Sequence, residues 1–171
     1  MSVSGTDDVD RTLKKLSELD MKQAVADAIQ TVRAAAVLNC PVDTGELRQS
    51  IYADVEGDAN RAVGTCWTNR VYAPYVEFGT GPKGQADHAG ISPEVTPVYT
   101  QAPWWIHESQ IDRRTAEKYR WFYIDTSQGR FYQCTGQPAH PFLFPALHDN
   151  EDKILKNMKA SFQTNIGKVS K

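Results

Sequence analysis

The sequence is poor in cysteine, has no closely spaced metal ligands and holds no long apolar run. Three cysteines, Cys40, Cys66 and Cys134, are odd in number and far apart among 171 residues, which argues against a disulfide framework. Neither they nor the four histidines stand at spacings such as C-x-x-C or H-x-x-x-H, so neither a metal nor any other cofactor is expected. No apolar stretch approaches the roughly 20 residues that span a bilayer, so no membrane partner is expected. The first eight residues carry neither a basic nor an apolar region, which predicts no signal peptide and synthesis in the cytoplasm. A net charge of −2 lacks the basic excess of a nucleic-acid binder. Internal repeats and low-complexity tracts are missing too.

What is present suits a globular core. With 40% hydrophobic residues over 171 positions, the chain reads as one domain over 1–171, with an insertion at 81–135. The charge is uneven. Residues 40–80 hold the acids Asp43, Glu46, Asp54, Glu56, Asp58 and Glu77 against Arg48, Arg61 and Arg70, whereas residues 135–171 hold five lysines against Asp149, Glu151 and Asp152. Such regions can pair between subunits of a ring or stay as solvated surface.

Periodicity predicts helix over residues 8–39 in two pieces. Leu13, Leu16 and Leu19 mark the first. The second, capped by Asp20 and stopped by Pro41, repeats Val25, Ala28, Ile29, Val32, Ala35 and Ala36 at helical spacing. Asp43 or Thr44 is expected to cap a single turn over residues 45–50. Residues 51–56 alternate as a half-buried strand, 57–60 carry turn chemistry, and 61–67 supply the partner strand of a hairpin. A short helix over 72–78, capped by Asn69, should end at Gly79 in a left-handed conformation. Tyr75, Val76 and Phe78 would pack inward there, with Glu77 exposed or paired.

Glycines and prolines predict a long loop through the first half of 81–135. Residues 104–106, 121–124 and 129–134 read as aromatic strands, the last two joined by a turn at 125–129, with a helical stretch within 111–119. One C-terminal helix is expected from Pro141 to about Gly167, with Phe144, Leu147, Leu155, Met158, Phe162 and Ile166 as its apolar stripe and a frayed end. The fold class is α+β: a small antiparallel sheet packed by two long helices, N- and C-terminal, with a loop-rich aromatic insertion.

Three motifs invite chemical readings. Asp43-Thr44-Gly45 matches the aspartic-protease triplet, but a helix precedes it, Glu-Leu-Arg follows, and there is no second copy to share a proton. Cys134 lies six residues from His140 without an orienting group or oxyanion hole. No catalytic residues and no metal ligands are therefore assigned. The aromatic cluster is the stronger signal. Trp104, Trp105, Trp121, Tyr123, Phe131 and Tyr132 stand among Arg113, Arg114, Arg120 and Arg130. They form either a small core and an interface with a neighbouring protein, or a nucleic-acid-binding module that stacks bases.

Three separated segments carry a resemblance. Residues 41–51 contain Pro41, Asp43, Thr44, Gly45, Leu47, Arg48 and Ser50; residues 72–80 contain Tyr75, Glu77, Phe78 and Gly79; the third, from residue 136, runs through Pro141 and Phe142 and on to Pro145. Together they resemble the small head–tail joining proteins of tailed bacteriophages, the HK97 gp10-like family of neck or tail-completion proteins. Residues 84–134 are the part least covered. The resemblance implies a non-enzymatic virion protein of the siphophage neck, made in the bacterial host cytoplasm. It also implies a homo-oligomeric, six-fold ring that meets a head-closure or connector protein and a tail terminator or tail-tube protein. Genomic DNA would pass through its lumen without specific binding, and Asp54, Glu56 and Asp58 are the candidates to face that lumen.

Overall fold

The computed structural model describes residues 21–58 and 61–168. The leucine-spaced segment, the Asp20 cap, the middle of the first hairpin turn and the last three residues lie outside them, as does the side chain of Ile166. In chain order the elements are α1 (Met21–Asn39), α2 (Glu46–Gln49), β1 (Ile51–Gly57), β2 (Ala62–Thr68), α3 (Ala73–Phe78) and α4 (Gly81–Ala86). Then come β3 (Trp104–His107), a 3-10 turn (Glu108–Gln110), α5 (Arg113–Lys118), β4 (Tyr123–Thr126), β5 (Gly129–Cys134), α6 (Phe144–His148) and α7 (Glu151–Lys168). The architecture is α+β, with a two-stranded and a three-stranded antiparallel sheet. The chain forms two compact units, one from the residues up to Arg70 together with those from Phe142 onward, the other Val71–Pro141.

In the first unit α1 lies against both strands of the β1–β2 hairpin. Ala24, Ile29, Val32 and Ala36 are its buried residues, a face rotated slightly from the expected one, since Val25, Ala28 and Ala35 are only half-buried. Both Val25 and Ile29 lie close over Gly64 of β2. A Cβ there would stand 3.0 Å from Val25 Cγ1 and Ile29 Cβ, so the absent side chain lets α1 settle close to the strand. Arg33 Nε donates to the Ile51 carbonyl (2.8 Å), tying helix to hairpin. The alternation predicted a hairpin here, and its two strands pair Tyr52 with Trp67, Asp54 with Thr65 and Glu56 with Val63.

The C-terminal region is not one helix. α6 and α7, which both pack against α1, are separated at Asp149 and Asn150. The Asn150 side-chain amide donates to the Ala146 carbonyl (3.0 Å), closing α6. Its own carbonyl accepts from Ile154 N (2.9 Å) and opens α7, whose first turn carries Glu151 and Asp152 where the helix dipole favours acids. The break reorients the expected stripe. Ile154, Met158 and Phe162 are half-buried at four-residue spacing, while Leu147 and Leu155 are exposed.

In the second unit β5 is the central strand between β3 and β4. Strand β4 begins at Tyr123, two residues later than expected. The start of the expected loop is helical instead, as α4, with Pro82 in the first turn where its missing N–H costs nothing. Irregular chain follows to residue 103.

Candidate interaction surfaces

The 41–51 segment is a corner between α1 and β1. Gly45 occupies the N-cap of α2 at φ 84, a left-handed conformation that glycine adopts without strain. The capping hydroxyl comes from the preceding residue: Thr44 Oγ1 accepts from Glu46 N (3.4 Å). Asp43 and Pro41 are exposed. Arg48 Nη2 donates to the Cys40 carbonyl (2.8 Å) near the end of α1. Ser50, buried, donates to the Leu47 carbonyl (2.8 Å) and lies 2.7 Å from Thr68 Oγ1 on β2. Leu47 is buried as well, and the largest fully buried side chains are Phe142, Ile51 and Cys40. Pro145 sits in the first turn of α6, beside the fully buried Ala146. These motif residues build a scaffold. They form no open chemical site.

The second and third segments meet in the other unit. Thr80 and Gln137 form an antiparallel bridge, with Thr80 N to Gln137 O at 2.9 Å and His140 N to Val76 O at 2.8 Å. The Gln137 side chain donates to the Tyr75 carbonyl (2.8 Å). Gly136 sits at φ 80, where a Cβ would come within 1.8 Å of the Thr80 carbonyl oxygen. Glycine is required there by both conformation and space. Three expectations for α3 fail. Its buried face is Ala73 and Glu77, one turn apart, while Tyr75 is exposed and Val76 and Phe78 are half-buried. Gly79 has φ 75 but ψ 177, an extended backbone open to glycine and not a left-handed helix cap. The N-cap position of α3 is Tyr72, without a side-chain cap; Asn69 does not fill it.

The aromatic insertion divides its residues between two sheet faces. Trp104, Ile106, Tyr123 and Arg130 share the face of the buried Tyr132 and Cys134. The other face carries Trp105, Ile124 and Phe131, with Trp105 and Ile124 exposed. Phe122, also exposed, lies 6.1 Å from Trp105 between ring centroids. Of the six aromatics singled out above, Trp105 and Tyr123 are exposed, Trp104, Trp121 and Phe131 half-buried, and Tyr132 belongs to the core.

Two of the arginines there, Arg130 and Arg113, are engaged with acids. Arg130 grips Asp125 through two bonds (2.7 and 3.1 Å) and lies 3.9 Å over the Tyr123 ring. Hydrogen bonding from Arg130 holds the Asp125 carboxyl below its ordinary range, and that same bond raises the arginine's own pKa. Arg113 pairs with Glu117 one turn on (2.8 Å). A polar groove of about 280 Å³ runs between these arginines and Glu108.

The outer face of the β1–β2 hairpin holds residues that the motif reading passed over. Asp54, Glu56 and Asp58 are exposed, and beside them stand Tyr52, Val63 and Trp67, each more than a third exposed. The Trp67 ring packs against Tyr52 in a tilted arrangement, 5.1 Å between centroids, and donates its indole N–H to Asp54. Strand alternation was the available signal, because it puts Trp67 and Tyr52 on the acids' side. On the inner face Cys66 is half-buried, and burial pushes its thiol pKa up, partly offset by Arg33.

Among the described residues no cluster of three or more acids, histidines or cysteines is arranged to hold a metal ion, and no helix is long and apolar enough to cross a membrane. Residues 7–79 match the family described as "HK97-gp10_like: Bacteriophage HK97-gp10, putative tail-component". This is the family that the motif segments resemble, and the match covers the first of them whole and the second through Gly79. A family of phage tail components supports a structural role in a phage particle. No curated protein and no solved structure matches the chain.

Proposed function

We propose that this chain is a non-enzymatic structural subunit of a tailed-phage neck. It assembles as a ring, six-fold, that joins the head connector to the tail. Its neighbours are a head-closure or connector protein on one side and a tail terminator or tail-tube protein on the other, and genomic DNA passes through the lumen without specific binding. The 1–171 chain acts as one joining domain, with 81–135 inserted for contact with a neighbour.

The observation that carries this reading is the family match over residues 7–79, joined to what the matched motif does. Arg48, Ser50 and Leu47 are spent on holding α1, α2 and the hairpin together. A motif whose side chains are used up in holding a corner suits a protein that works through its surfaces. The exposed Trp105, Phe122 and Tyr123 suit a protein contact, where aromatics are favoured. A nucleic-acid module is the weaker reading, because Arg113 and Arg130 already face Glu117 and Asp125.

Deleting the gene should leave filled heads and separate tails under the electron microscope, rejoined when the gene is supplied in trans. Complete particles from the deleted phage would overturn the proposal. So would steeply salt-dependent DNA binding that is lost in Trp104→Ala/Trp105→Ala.

A further inference from the structure

Two exposed faces of the first unit are opposite in charge and each mixes charge with apolar surface. One is the outer face of the β1–β2 hairpin, where Asp54 and Glu56 flank Tyr52, Val63 and Trp67. The other is the outer side of α7. Ile154, Met158 and Phe162 form its half-buried side, and Lys153, Lys156 and Lys159 are exposed, with Leu155 on the flank and the exposed Asp152 one turn before Lys156, which leaves the face basic by three charges to one. From Lys153 to the end of the chain there are five lysines and no acid.

We infer that the outer face of the β1–β2 hairpin docks on the lysine face of α7 in a second copy of the chain. The inference rests on the ring reading and names the surfaces that would close the ring. The hairpin's inner side and the half-buried side of α7 are both used within the copy, since α1 packs on each of these elements. The outer sides are what remains for a partner. A lumen position would account for Asp54 and Glu56, but it gives no reason for an exposed indole and phenol packed together among them. A protein contact does, because Trp and Tyr are favoured at such contacts. Charge then selects the partner surface: an acidic face meets a basic one, which steers encounter and fixes register. Two different faces used head to tail give the heterologous contact that closes rings.

The test uses the full chain in sedimentation velocity at low salt. The wild type should self-associate, and association should weaken as salt rises. Glu56→Lys and Lys156→Glu should each weaken it by about tenfold or more, because each puts like charges face to face. The Glu56→Lys/Lys156→Glu double variant should recover association, and so should a mixture of the two single variants, since each then offers what the other lacks. Thermal melting of each monomer checks that folding is intact. Single variants that associate like the wild type overturn the inference, as does a double variant no better than the singles. A wild type that stays monomeric at every concentration overturns it too, while the gene-deletion phenotype reads the proposed neck function separately.

Discussion

Phe142 has no exposed surface, so truncating it leaves a cavity as well as losing its transfer free energy. Phe142→Ala should destabilise the first unit by about 3–5 kcal/mol, read as a lowered midpoint in chemical unfolding. Asp125 gives a prediction of a different kind. Its pKa is lowered chiefly by hydrogen bonding from Arg130. A carboxylate depressed in the folded state contributes stability above its unfolded value of about 3.9 and loses it as pH falls through the lowered folded value. NMR titration of the Asp125 carboxyl should therefore show a midpoint below the usual range, returning to it in Arg130→Ala. An unchanged midpoint would show that the two bonds do not hold in solution. Single residues were the least legible scale in the sequence. The sequence leaves Glu77 exposed or paired and turns Tyr75 inward, yet Glu77 lies one turn from Ala73 on the face that α3 buries, while Tyr75 is exposed. A six-residue helix is too short for periodicity to choose its face.

At the scale of elements, close approach of backbones decides more than propensity. Gly64 allows α1 to seat against β2. Gly64→Ala should cost about 1–3 kcal/mol through overpacking against Val25 and Ile29, and Val25→Ala in the same chain, which removes the Cγ1 atom the new methyl group would meet, should recover part of it. Unfolding of the single and double variants measures both. Gly136→Ala should be worse tolerated, because the Thr80 carbonyl occupies the space of the new methyl group; soluble expression and melting temperature read that loss. Much of this level was legible. Alternation through 51–56 and 61–67 gave the hairpin, Pro41 the end of α1, and the aromatic runs most of the three-stranded sheet. The break at Asn150 was not legible, because the apolar spacing continues across it and only the side-chain bond to Ala146 ends the first helix. Helix α4 was hidden for the opposite reason. Pro82 and Gly84 read as breakers, yet proline is tolerated in a first turn, and Gly84 fits where its backbone lies close to Gly79 and Tyr99.

For the whole molecule, the sequence offered a family and a class, while the surfaces that would do the work emerged from the fold. The motifs that carry the resemblance are largely scaffold: Leu47, Ser50 and Phe142 are buried, and Gly79 and Gly136 admit close backbone contacts. Exposed aromatic side chains lie elsewhere, at Tyr52 and Trp67 on the hairpin and at Trp105 and Phe122 on the insertion. Trp105 was legible as one of the clustered aromatics of the insertion, but Tyr52 and Trp67 are ordinary strand residues until the pairing register sets their face. As a neck component, this chain should be built into the phage particle itself, which quantitative mass spectrometry of gradient-purified particles measures. Intact virions should carry about six copies each, as six-fold closure requires. Infectious particles that lack the chain, with the protein left free in the lysate, would rule out a neck role.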